Sequence, residues 1–195
     1  MNNGYTQYIL RLIAAQGALA SVYTDPRDPD GFCAGFVECV SSRHLLMAEV
    51  TPWGKLDGWC LRRTTDVYQV LSGEEYEQRL AMLLSHYHQQ HVTFFEAPLD
   101  EEDDILQCAL KCCREKQRVV SVLIADEMIT GRVTDLNDLR VTLRLMDFFG
   151  RPAEEETIPL RDVEVLSIDT EEERMYELLE RLDAQRPQIL PPEER

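Results

Sequence analysis

Apolar positions along the chain change period several times, and the changes recur in the same order. Tyr5, Tyr8, Ile9, Leu12 and Ile13 follow the i, i+3, i+4, i+7, i+8 spacing of one helical face. The strand-like segment LASVYT follows from Leu19, and residues 43–50 give a second, less cleanly alternating strand. Pro52-Trp53-Gly54-Lys55 predicts a turn between strands. Tyr76, Leu80, Leu83, Leu84 and Tyr87 predict a closing helix. Ile105, Cys108, Ala109, Cys112 and Cys113 then restart the helical spacing. Acidic residues 100–104 precede this helix, where they complement its N-terminal dipole. Val141, Leu143 and Leu145 alternate with Arg140, Thr142 and Arg144, the period of a half-buried strand. Phe149-Gly150-Arg151-Pro152 predicts another turn, and Val163, Val165 and Leu166 a short last strand. Met175, Leu178, Leu179 and Leu182 predict the last helix. The β-prone segment HVTFFE, from His91 to Glu96, is expected as an extra strand at the junction.

The recurrence is an internal repeat. Ser21-Val22 and Ser121-Val122 lie 100 residues apart. Gly35-Phe36-Val37 is echoed by Gly131-Arg132-Val133, and nineteen residues later each half has a second glycine, Gly54 and Gly150. Leu61-Arg62 and Leu160-Arg161 form an apolar-Arg step in each copy, followed by Asp66-Val67 and Asp162-Val163. Acidic helix starts close both copies, from Glu74 and from Glu171. The first copy carries an insertion at residues 25–30, where the second has a tight turn, and the second is longer at 151–156. The expected division is 1–98 for the first unit and 99–186 for the second. Residues 187–195 form a Pro-rich tail, expected to be poorly ordered.

A helix followed by about five short, bent strands is the layout of a small β-barrel. The segment VVSVLIADEMITGRVTDLNDLRVTLRLMDFFG, with IPLRDVEVLSI after it, resembles the Sm-like (LSm) family, and more broadly the SH3-like barrels. Val120, Val122, Gly131, Val133, Val141 and Leu143 fit that family's first motif; Ile158, Leu160, Arg161, Val163 and Val165 fit its second. The resemblance covers residues 118–168 and, more weakly, 18–72. It implies a mixed, mainly β fold: two tandem Sm-like (SH3-like) small barrels, each flanked by an N-terminal and a C-terminal helix. It further implies strand edges that pair with another subunit, or with each other inside one chain as a pseudo-twofold monomer. RNA-binding members use an Asp and an Asn in a loop and the Arg of the second motif. Asn137 and Arg161, with Arg62 or Arg63 in the first copy, are the positions that come nearest. Asp162 stands where the family has glycine, Val141 stands about where the loop Asn is expected, and the first copy has Ser41-Ser42-Arg43-His44 in that loop.

Composition narrows the options. The chain has 195 residues, room for one large domain or two of about 100 residues, and a formal charge of −16. Residues 1–98 carry 11 acids against 7 bases and residues 99–195 carry 25 against 13, so the more Sm-like half is also the more acidic. That charge repels phosphate and disfavours broad nucleic-acid or anionic-lipid binding. No signal peptide or spanning segment is read, and six cysteines without a CxxC pair read as reduced cytoplasmic thiols. No catalytic signature is present, and no cofactor is implied. His86, His88 and His91 are the metal candidates, with two of them i, i+3 neighbours if the helix continues; a fraying helix end is the plainer reading. Trp53 and Trp59 flank a glycine-bearing hairpin and are candidates for a contact surface. The leading expectation is a non-catalytic protein-interaction or assembly module acting through a protein partner or self-association. An RNA-associated Sm-like regulator is the alternative, and a histidine-centred metal protein or enzyme comes last.

Overall fold

The computed structural model describes residues 3–28, 30–100 and 102–185. The tail expected to be poorly ordered lies outside them. Helix α1 (Asn3–Gln16) leads into strands β1 (Leu19–Tyr23), β2 (Cys33–Val40), β3 (His44–Val50) and β4 (Leu56–Arg63). A 3-10 turn at Thr64–Asp66 joins β4 to β5 (Gln69–Leu71), and α2 (Glu75–His86) closes the unit. The second unit has the same order: α3 (Ile105–Glu115), β6 (Val119–Ile124), β7 (Glu127–Leu136), β8 (Arg140–Met146) and β9 (Pro152–Pro159), then a 3-10 turn at Leu160–Asp162, β10 (Val165–Ile168) and α4 (Glu171–Ala184).

The ten strands form one antiparallel sheet in the order β5-β1-β2-β3-β4-β10-β6-β7-β8-β9. The fold is mixed and mainly β, as expected, and neither repeat closes on itself. The sheet is open, with β5 and β9 at its two ends, and β4 pairs with β10 of the other repeat rather than closing on its own. Bulges between Val37 and Cys39, Ala48 and Val50, Val133 and Asp135, and Arg144 and Met146 interrupt matching ladders, and bulges bend and twist the strands that carry them. The junction joins unlike strands, β4 of one repeat and the last strand of the other, so it is heterologous and not pseudo-twofold.

The repeat is tighter than the sequence suggests. Gly35 faces Glu49 and Gly131 faces Leu145, so the copies correspond at a spacing of 96 from β2 onward. A Cβ on either glycine would run into a backbone carbonyl of the neighbouring strand, that of Ala48 or Arg144. Gly54 and Gly150 have φ of 74° and 75° and lie against Leu83 and Leu179 of the closing helices. The loop 24–32 lengthens the first copy, whereas Ala125 and Asp126, both left-handed, make a two-residue hairpin turn in the second. No insertion exists at 151–156; Glu154, Glu155 and Glu156 lie within β9. Leu61-Arg62 does not match Leu160-Arg161: Thr64 and Leu160 both open the 3-10 turn, so Arg161 corresponds to Thr65.

Helix burial also departs from the apolar spacing. Thr6, Leu10 and Ile13 are the buried face of α1, while Tyr5 and Tyr8 are more than 60% exposed. Their counterparts on α3, Leu106, Leu110 and Cys113, are buried too, in the largest core cluster, which also takes Leu46 and Leu61 from the first repeat. Segment 91–96 forms no strand. It packs instead, with Phe94 buried beside Trp59. The buried carboxylate of Glu38 ties it down, accepting from Trp59 Nε1 at 2.9 Å and from the Phe94 amide at 2.8 Å, with His91 Nε2 at 2.8 Å. Replacing this acceptor strands buried donors. Glu38→Ala is expected to lower unfolding stability by roughly 2–3 kcal/mol, seen as a lower urea midpoint at unchanged slope; an unshifted midpoint would contradict this role.

Candidate functional site

Two turns with the same hydrogen-bond plan bring loops of both repeats to one place. Ser41 N donates to His44 O at 2.8 Å, and Asn137 N donates to Arg140 O at 3.0 Å. The side chain heading each turn caps it: Ser41 Oγ accepts from the Arg43 and His44 amides, and Asn137 Oδ1 from those of Leu139 and Arg140. Each 3-10 turn is then tied to its loop, Thr64 N to Arg43 O and Leu160 N to Leu139 O, both at 2.9 Å.

Between these loops lies a cleft of about 830 Å³ lined by Arg43, His44, Arg63, Asp104, Arg140 and Arg161, among others. Arg63 bridges the repeats: its Nε donates to Val163 O at 3.0 Å and its Nη2 to Arg161 O at 2.8 Å. Arg43 Nη2 lies 2.9 Å from Asp104 Oδ2. Asp104 Oδ1 meanwhile caps α3 by accepting from the Leu106 and Gln107 amides. The Arg161 side chain is 86% exposed and lies 3.5 Å from Asp162. Four arginines thus line the cleft against two aspartates, Asp104 and Asp138, on a chain of net charge −16.

His44 is buried at the rim of this cleft. Its Nδ1 lies 3.7 Å from Asp104 Oδ1, beyond hydrogen-bond reach, and has no hydrogen-bond partner. Burial pushes its pKa below the ordinary histidine value; Arg43 and Arg63 push the same way, and Asp104 opposes them.

Of the residues singled out from the sequence, Arg63 and Arg161 meet in the cleft, while the Asn137 side chain is taken up by its own turn. Arg62 is elsewhere: its Nη2 donates to Cys33 Sγ at 2.8 Å, and it lines a different, smaller cleft. Trp53 stands 68% exposed in the β3–β4 turn. Trp59 does not join it at the surface; it is half-buried, with its indole N–H on Glu38. The histidine cluster does not converge. His86 ends α2 and stacks edge-on with Tyr87, His88 takes a left-handed φ of 52°, and His91 lies parallel to the Phe36 ring. The sequence reading missed Arg43, His44 and Arg140 as cleft residues. Their signal was position, since Arg43 ends the β2–β3 loop and His44 and Arg140 open the corresponding strands β3 and β8.

Comparison with protein-family models, with curated proteins and with solved structures finds no match.

The depressed His44 pKa has a definite sign. The unfolded chain takes up this proton near a pH of about 6.5, while the folded chain resists it until lower pH. His44 therefore contributes a loss of stability as pH falls through and below that value. The wild type is expected to lose stability between pH 7 and 5 more steeply than His44→Gln in urea unfolding. Parallel pH profiles would contradict it.

Proposed function

We propose that the protein is a non-catalytic interaction module of two tandem Sm-like barrels, which takes a basic strand of a protein partner on its acidic edge, β9. Support for the Sm-like reading comes from the repeated order of helix, four strands, 3-10 turn, fifth strand and helix. The observation that carries the function is the contrast between β4 and its counterpart β9.

Three features of β4 make the internal junction. Asp57 accepts from the Glu171 amide at 2.7 Å and from Arg174 at 2.8 Å, at the start of α4. Gly58, at φ 69°, lies so close to Ile168 and Asp169 that a Cβ would come within 2.3 Å of both carbonyl oxygens. Arg63 donates to two carbonyls across the boundary. The corresponding residues of the second repeat are Ala153, Glu154 and Pro159. None can make the same contact, and Glu154, Glu155 and Glu156 are all exposed along the edge. Edge charge is a known block to pairing with like or neutral strands. A second copy would offer β5, whose Gln69, Val70 and Leu71 carry no positive charge. A lysine- or arginine-bearing strand meets both the backbone and the charge requirement.

In sedimentation equilibrium the protein is expected to remain a monomer. At low salt, a strand-forming peptide of alternating lysine and valine is expected to perturb the β9 amides, and changing Glu154, Glu155 and Glu156 to Lys removes the effect. A wild-type oligomer, or peptide shifts confined to other strands, sinks the acidic-edge reading. The cleft supports a second reading, an RNA-associated regulator. A salt-dependent shift of a short U-rich RNA, lost in Arg161→Ala, would put that reading first.

A further inference from the structure

Away from the cleft and the edges, three strands of the first repeat bring two thiols and a carboxylate together. Cys33 begins β2, Glu49 lies near the end of β3, and Cys60 is in the middle of β4. Cys33 Sγ, a Glu49 carboxylate oxygen and Cys60 Sγ all lie within 4.8 Å of one another. The Cys33 thiol donates to Glu49 Oε1 at 2.8 Å, and Arg62 Nη2 donates to the same sulfur at 2.8 Å. Arg62 Nε is buried without a hydrogen-bond partner. Cys60 is 2% exposed, whereas Cys33 and Glu49 are half-buried.

We infer that Cys33, Glu49 and Cys60 form a binding site for a zinc-type divalent cation. The donor set is two soft sulfurs and one oxygen, a combination that tetrahedral zinc accepts, with the fourth corner left for water. Charge supports the assignment. A divalent cation on two thiolates and one carboxylate leaves a single negative charge, and the Arg62 guanidinium beside Cys33 cancels it. Arg62 would also act as an outer N–H donor to a ligating sulfur, the kind of partner that orients and tunes metal ligands. Binding is balanced by release of the two thiol protons to solvent. Without a cation, the Cys33 thiol proton is donated to Glu49, so the metal must displace that proton.

The second repeat provides an internal control. At the positions of Cys33, Glu49 and Arg62 it has Ile129, Leu145 and Ile158, and at that of Cys60 it has Glu156. Ile129 and Ile158 are buried core residues. The same backbone therefore folds with apolar side chains at three of these places, and the polar quartet of the first repeat is not demanded by the architecture.

The test is a cobalt titration of untagged full-length protein, reduced and stripped with chelator. One equivalent of Co²⁺ is expected to produce sulfur-to-cobalt charge-transfer absorption with visible tetrahedral bands, and Zn²⁺ to bleach both. Cys33→Ser and Cys60→Ser should lose the charge-transfer signal. Glu49→Gln, which preserves shape, should weaken Co²⁺ binding by about tenfold or more. Cys108→Ser should bind as the wild type, and circular dichroism verifies folding of each variant. No charge-transfer band in the wild type, a band that survives Cys33→Ser, unchanged Co²⁺ affinity in Glu49→Gln, or a band that disappears with Cys108→Ser overturns the site. So does a protein that takes up no metal and is two hydrogens lighter after oxidation, the mark of a Cys33–Cys60 disulfide.

Discussion

Val165, Leu166, Ser167 and Ile168 of β10 hydrogen-bond to β6 on one side and to β4 on the other. Those four residues turn two five-stranded units into one sheet. Without them, β4 would expose a backbone edge carrying Trp59, Cys60 and Leu61, an apolar strand open to any other strand. Fixing the repeats together also fixes what lies across the boundary. Leu46 and Leu61 of the first repeat join the core under α3, and the cleft arginines come from both repeats because β4 and β10 hold the two 3-10 turns side by side.

The connection between the repeats is shaped by the same constraint. α2 must end on one repeat and α3 begin on the other, so the chain between them crosses the junction without joining the sheet. Its ladder role is replaced by Glu38, whose buried carboxylate satisfies one backbone amide and two side-chain donors. A buried anion is tolerable there because its oxygens are well supplied with donors. Phe94 then covers the core beside Trp59, with the Arg118 guanidinium over both rings.

What the sequence made legible follows from how local each constraint is. Both closing helices are marked by capping boxes, Glu74 with Glu77 and Thr170 with Glu173, which act within four residues. Gly35 with Gly131 and Gly54 with Gly150 align correctly because each copy needs a residue without a Cβ at the same close approach. Leu61-Arg62 misaligned with Leu160-Arg161 because an apolar-Arg step carries no such backbone requirement. Segment 91–96 has strand propensity, but at the junction β4 is already paired with β10, and propensity yields to tertiary context. The cleft and the Cys33, Glu49 and Cys60 cluster were invisible for a different reason. Their members lie on separate elements, and only strand order and register bring them within reach.

Charge is distributed by the same logic. Glu171, Glu172 and Glu173 sit in the first turn of α4, and Asp104 caps α3, where carboxylates meet unpaired amides and the positive end of the helix. Those acids stabilise local structure and say little about partners. The three glutamates of β9 have no helix end to serve. Glu155 is held by Arg144 at 2.8 Å, and the strand's other neighbour is solvent. Their place in the fold is the place where β4 carries the junction. The two repeats thus have equivalent strands in unlike settings: β4 is paired within the chain, and β9 ends the sheet with three exposed glutamates. Among these acids, the β9 glutamates are the ones set along an open strand edge and not at a helix start.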